Sequence, residues 1–392
     1  IFYGQATYCP FVNAGNDQIL SCSQPCTDLT ASYLDLRQTD SYLVESIAYA
    51  PPIAYNQSGG TAVSVNIDDV YSTAITLPFP FCFYGITYNS LLIGSNGNLN
   101  FNVGNAGGYC PWPFTANCPS PNLVAAGNIF GIYHDIDPSV CGNIKWHLVG
   151  TAPCRQFIVS FDEICQFSCT STKSRHMIVL YETSNFIDVY VETKPLCSSW
   201  NSGNAIIGIQ NPAGNIGITA PNRNTTPTWT VTTPEAWRFK PDGNPMYTFE
   251  WTIGNNVIGT SSTINVCPTT TTTYTANITY TRCDGLVITN TDDVAVIPNP
   301  SNIIVSQISN TNSTCAQANG SVEISGSGSS GPYTYSIDSV TYLSSGLFTN
   351  LAAGNYTLFV QDDLGCIQTY IATIIDSSTL TASFSNVSNV SC

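Results

Sequence analysis

Short runs in which apolar and polar residues alternate recur along the whole chain. Ala62–Val70, Gln156–Phe161, Met177–Tyr181, Phe186–Val191 and Ala205–Gln210 show the pattern, and each is rich in β-branched or aromatic residues. A side-chain period of two in such residues marks a pleated strand with one face on a core. Between the runs lie turn clusters such as Gly94-Ser95-Asn96-Gly97 and Asn211-Pro212-Ala213-Gly214-Asn215, where Gly, Pro and Asn supply the backbone angles that reversal needs. Sustained i, i+3, i+4, i+7 apolar stripes bounded by helix caps are missing. The pattern predicts an all-β protein made of tandem β-sandwich domains.

Breaks in the pattern predict the joints. Lys240-Pro241-Asp242-Gly243-Asn244-Pro245 closes a large sandwich over 47–241, preceded by a leading module or extra strands over 1–46. Pro298-Asn299-Pro300-Ser301 closes a small domain over 243–298, and a further domain occupies 301–376. The opening of that last domain, Ser306 to Cys315, is echoed at Ser383 to Cys392 with Ser, Asn and Cys in register. Such an echo predicts that 377–392 starts another copy and that more repeats follow.

Composition then narrows the class. Hydrophobic residues make up 43% of the chain, enough for packed cores, while charged residues make up only 9%, against about 25% in ordinary domains. The surface is wetted by Ser, Thr, Asn and Gly. Net charge is −15 with only 10 Lys and Arg, so nucleic acid and anionic membrane surfaces are excluded as partners. No apolar run reaches the length that spans a bilayer, so this segment is not expected to insert. Sixteen Cys fit an oxidising compartment, and the chain is expected to be extracellular and disulfide-bonded. With neither an initiator Met nor a signal-like stretch at Ile1, a mature product or a fragment is expected.

Three sets of residues carry family resemblances. Cys315 with Asn319-Gly320-Ser321, Gly331-Pro332-Tyr333-Thr334-Tyr335-Ser336, Leu351 to Thr357 and Asp362-Asp363-Leu364-Gly365-Cys366 resemble the repeat of SprB-type gliding-motility adhesins of Bacteroidota. Tyr247 to Trp251 and the Thr-rich run Thr269 to Tyr274 look like an immunoglobulin-like or PKD-like module. Phe81-Cys82-Phe83-Tyr84-Gly85, Ile93 to Gly97, Cys110-Pro111-Trp112, His134-Asp135-Ile136-Asp137-Pro138, Ile178 to Glu182, Ile206 to Asn211 and Glu235 to Phe239 are similar to a nidogen-like, jelly-roll-like sandwich at the front of large bacterial surface proteins. The resemblances imply the front part of a cell-surface adhesin or filament, exported by type IX secretion and carried by the gliding machinery. Its partners would be surface polysaccharide or an abiotic surface, together with further repeats of the same chain. Two other classes compete: a structural fibre or stalk subunit with no external ligand, and the accessory region of a secreted glycan-degrading enzyme.

Cysteine is the loudest chemical signal. The repeat resemblance implies a Cys315–Cys366 bridge, and Cys267 and Cys283 flank one strand pair of the small domain. Cys110 with Cys118 and Cys141 with Cys154 are close enough in sequence to staple long loops. Cys165, Cys169 and Cys197 compete for partners, Cys82 is a candidate buried thiol, and Cys392 is expected to pair in the next repeat. The two Cys-x3-Cys pairs permit zinc, but no second Cys/His cluster accompanies them.

Among acids, Asp135 and Asp137 are candidate Ca²⁺ ligands, with Asp68-Asp69 ranked behind them; the competing reading is a loop held by side-chain-to-backbone hydrogen bonds. Tyr109, Trp112, Trp146 and Trp200 lie near Gly/Asn/Ser-rich loops and are candidate glycan contacts. A flat ring stacks on the C–H face of a sugar, and amides bond its hydroxyls. The competing reading is core packing. Ser339 in Asp338-Ser339-Val340 matches a Bacteroidota-type O-glycosylation pattern, which an ordinary turn explains equally well. No Gly-x-Ser-x-Gly or His-Glu-x-x-His motif occurs, and Glu163 with Glu182 or Asp188 reads as wet sheet face rather than a glycosidase pair. No enzyme and no cofactor beyond Ca²⁺ is expected.

Overall fold

The computed structural model describes residues 8–22, 24–65, 67–112, 116–123, 127–298 and 302–377. The start of the further repeat expected over 377–392, Cys392 included, lies outside them except for Ser377. Among the described residues there are strands, bridges and two single 3-10 turns, at Val103–Asn105 and Asn201–Gly203, and no α-helix. The chain forms two compact units. The first takes Ser32–Glu250 with a stretch ending at Asn13 and Ala276–Asp292; the second takes Ala14–Ala31, Trp251–Thr275 and the chain from Asp293.

The first unit is built on two antiparallel sheets. One has six strands in the order Gly217–Thr219, Ile206–Gln210, Asn128–Tyr133, Asn98–Asn100, Ile86–Ile93 and Ile75–Phe83. The other runs Tyr42–Ile47, Glu235–Pro241, Ile187–Thr193, Cys169–Tyr181, Gln156–Gln166, Asn143–Val149 and Thr61–Ala62, with Ile136–Asp137 added beside Gln156–Gln166. Alternate residues of both point into one core. Phe81, Phe83, Leu91, Ile93 and Ile129 come from the first sheet, and Phe157, Val159, Phe161, Ile178, Leu180 and Val189 from the second, all at 2% exposure or less. Each such side chain is worth about 1.5–3 kcal/mol of burial.

The other face of the larger sheet is covered as well. Tyr55 donates its hydroxyl to the Tyr190 carbonyl and Tyr49 packs edge-on against Tyr190. The strand that carries Tyr190, Ile187–Thr193, is accordingly buried on both faces over its first five residues.

In the second unit, Ile304–Thr311, Gly320–Ser327 and Leu347–Leu351 form one sheet, and Thr334–Ser336, Gly354–Gln361 and Ile367–Ile374 another. Val322, Ile324, Phe348, Leu358, Val360 and Ile374 fill the space between. Tyr333 and Tyr335 both reach Gly326: a Cβ there would lie 2.8 Å from the Tyr333 ring, and the Gly326 amide donates to the Tyr335 hydroxyl. Asp362 caps the final hairpin by accepting from the Leu364 and Cys366 amides. Ala14–Ala31 is not a module of its own. Gln18–Ile19 pairs in parallel with Val296–Ile297, and Thr27–Thr30 pairs antiparallel with Thr263–Val266.

Among the described residues six disulfides form: Cys9–Cys154, Cys22–Cys366, Cys26–Cys267, Cys82–Cys283, Cys141–Cys165 and Cys169–Cys197. None of the four expected pairings forms. Cys366 is taken by Cys22, which leaves Cys315 an exposed thiol. Cys267 and Cys283 separate because register decides: Thr27 faces Val266, so the next pair outward is Cys26 and Cys267. Cys82 is consequently the partner of Cys283 rather than a buried thiol. Cys154 goes to Cys9, helped by Tyr8, whose ring packs 4.5 Å from Tyr181 and whose hydroxyl accepts from Gln156. Cys141 goes to Cys165, because the strand it precedes starts opposite Asp162. Cys110 and Cys118 remain thiols within one buried cluster with Tyr71, Phe130 and Tyr133, where burial pushes both up to about 12. Both Cys-x3-Cys pairs are consumed by disulfides, which removes the zinc reading.

Candidate functional site

The turn Gly94–Gly97 joins strands Ile86–Ile93 and Asn98–Asn100 at one edge of the six-stranded sheet. Gly97 has φ +84°, and a Cβ on it would meet the Ile132 carbonyl oxygen at 2.1 Å, so only glycine fits. That close approach presents Asn96, which is fully buried. Its Nδ2 donates to Asp69 Oδ1 at 2.8 Å and to the Cys110 carbonyl at 3.0 Å, while its Oδ1 accepts from the Ile136 amide at 3.2 Å. A single amide thus ties together three loops that are remote in sequence.

The loops bring acids into one place. Asp68, Asp69 and Asp135 each offer a carboxylate oxygen, and these oxygens lie within 4.8 Å of one another. Asp69 takes a second side-chain hydrogen bond from Trp112. Trp200 Nε1 donates to Asp135 Oδ2 at 2.6 Å. Asp68 Oδ1 and Asp135 Oδ1 are shut from solvent and have no hydrogen-bond partner among the described residues. Burial, chiefly, and the neighbouring carboxylates lift Asp68 to about 6 and Asp135 to about 7, and Asp69 is raised by burial as well.

Aromatic rings adjoin the acids. Trp112 and Trp200 lie 5.2 Å apart, and Trp200 also packs on Phe167 at 4.9 Å. Both tryptophans are half-buried, whereas Tyr109 is 59% exposed. Asp69, Asp135 and Asp68 act on the Tyr109 hydroxyl, which is raised first by burial and then by these charges. Residue 109 is held there by the bridge between Tyr109 and Val70.

Three of the four aromatic candidates therefore converge. Trp146 does not: it sits on Asn143–Val149, stacked on Phe157 against the main core, so packing accounts for it. Of the acid candidates, Asp135 joins the cluster but Asp137 does not. The Asp137 carboxylate accepts from the amide and hydroxyl of Ser139 and holds its own turn. His134 is fully enclosed against Ser174 and kept neutral by burial. Asp68 and Asp69, ranked second from sequence, replace Asp137 in the cluster. Asn96 was visible only as a turn residue.

The remaining candidates are also placed. Glu182 is bound by Arg155 and Arg282, and Asp188 by Arg238, Tyr181 and Tyr190. Ser339 occupies an exposed turn that Asp338 caps by accepting from the Val340 and Thr341 amides, bonds that hold Asp338 down to about 2.

Six disulfides and two sheet-built units of low charge define a multi-domain, disulfide-stapled extracellular β protein. Its particular kin is set by the sandwich: the family described as NIDO related matches residues 46–251, just over half of the chain, and the chain belongs to that family. No curated protein matches it. Among solved structures, it is matched with protocadherin gamma B2 extracellular cadherin domains 3–6 at 9% identity, covering 90% of this chain and 84% of that one with a TM-score of 0.17. The protocadherin gamma B4 extracellular domain is matched at 9% identity, covering 94% and 67%, with a TM-score of 0.15. Likeness at these scores carries no argument about architecture. None of the described helical segments is long and apolar enough to cross a membrane.

Proposed function

We propose that the NIDO-related sandwich is the contact head of a cell-surface adhesin and that its ligand is glycan. The carrying observation is the clustering of Tyr109, Trp112 and Trp200 about Asp69 and Asp135. Rings supply faces for sugar C–H groups, and the carboxylates beside them accept from hydroxyls. The resemblance of Cys315 to Cys366 to SprB-type repeats supports a role for the second unit as the beginning of a stalk, exported to the cell surface and carried by gliding machinery. Weak single contacts would then gain strength from copy number. This reading gives the chain no catalytic role.

Retention of the full chain on a polysaccharide array tests it. Saturable binding is expected, weakened several-fold by Tyr109→Ala and by Trp112→Ala, since an aromatic contact contributes about 0.5–1.5 kcal/mol beyond the area it buries. Lack of retention by the wild type, or retention of both variants undiminished from the wild type, would leave the stalk without an external ligand as the better account.

A further inference from the structure

The chain has few cations and distributes them selectively. Arg155 and Arg282 neutralise Glu182, Arg238 neutralises Asp188, Arg175 neutralises Asp162 and Arg223 neutralises Glu235. The Asp68, Asp69 and Asp135 cluster receives neutral donors instead, from Asn96, Trp112 and Trp200. Asp135 is only 6% exposed, and its Oδ1 has no partner; the same holds for Asp68 Oδ1. A buried carboxylate oxygen without donor or counter-charge costs stability that folded proteins otherwise avoid. Two of them beside a third carboxylate form a concave group of oxygen acceptors aimed at one another.

We infer that Asp68, Asp69 and Asp135 hold a divalent cation, and that the cation is Ca²⁺. All three donors are hard oxygens. The nearest imidazole, His134, is engaged with Ser174 rather than turned to the cluster, and no thiolate belongs to the cluster, which disfavours zinc. The donors come from two separated chain segments at irregular spacing. Ca²⁺ accepts about six to eight oxygens in irregular arrangement, whereas Mg²⁺ demands a near-ideal octahedron. Three protein carboxylates leave the remaining positions to water or to hydroxyls of a ligand. The inference deepens the glycan reading without depending on it, because the oxygens require a counter-charge whether or not a sugar binds.

The test uses the full chain, stripped with EDTA, and terbium(III) as probe. Trp112 and Trp200 adjoin the carboxylates, so tryptophan excitation should sensitise terbium emission, and Ca²⁺ should displace it with a dissociation constant between about 10⁻⁴ and 10⁻³ M, the range of extracellular modules. Asp135→Asn should weaken both ions at least about tenfold, while Asp137→Asn, which removes a nearby charge but no ligand, should weaken them by no more than about threefold. Because Asp135→Asn affects a buried site, Asp68→Asn, at a more exposed position, serves as the second variant with the same expected loss. Absence of sensitised emission from the wild type, or emission from Asp68→Asn and Asp135→Asn equal to that of the wild type, would overturn the site. Neither readout involves glycan, so failure here is distinct from failure on the array.

Discussion

His176 is the residue whose burial has the clearest consequence for stability. Its ring stacks 4.2 Å from Phe161, fully buried, and its polar contact is to the Gly97 backbone. Burial holds its pKa down from 6.5 to about 3. The folded state thus excludes the proton that the unfolded chain binds below 6.5. The stability this contributes is present above pH 6.5 and is lost as pH falls toward 3, a cost of about 2 kcal/mol by pH 5. Asp68 and Asp135, lifted to about 6 and about 7, act in the opposite sense over this range, so the test is a difference: between pH 7 and 5, His176→Phe should gain about 2 kcal/mol in urea unfolding relative to the unchanged chain. At this scale the sequence was only partly legible. Asp135, Tyr109, Trp112 and Trp200 stood out by type and neighbourhood. The substitution of Asp68 and Asp69 for Asp137 did not, because it follows from one amide, Asn96, reaching three loops at once. A spacing of two made Asp135 and Asp137 look like a pair, yet Ser139 two residues further on claims Asp137.

Strands were easy to find and their partners were not. Period two identifies a strand from its own residues, but register is a relation between segments. Thr27–Thr30 pairs with Thr263–Val266, a partner more than two hundred residues away, and nothing in either run names the other. The cysteine map inherits that blindness: each expected bridge joined cysteines by proximity or by a family pattern, whereas the fold joins those that register sets opposite. The pairing has a measurable weight. Replacing Cys26 and Cys267 together by Ser should leave the antiparallel ladder formed but lower the unfolding free energy of the second unit by about 2–4 kcal/mol. Denaturant titration under oxidising conditions reads the difference, and an unchanged midpoint would mean that the strands alone define the contact.

Over the whole molecule, the all-β class and the large sandwich were legible, since composition and period speak for every segment at once. The interleaving of the units was not. Residues 1–46 read as a leading module or extra strands; from Ala14–Ala31 the chain builds part of the second unit, leaves to form nearly all of the first, and returns. Cys22–Cys366 closes that excursion covalently over a separation of 344 residues, and Cys26–Cys267 closes it again inside. Tension entering before Cys22 and leaving after Cys366 therefore runs through a sulfur–sulfur bond and bypasses the backbone between them. The NIDO-related sandwich enclosed in that loop carries no part of that load, however hard the ends are pulled. In single-molecule stretching, the intact chain should yield almost no length from this region, and reductant should release up to about 1,200 Å of hidden backbone.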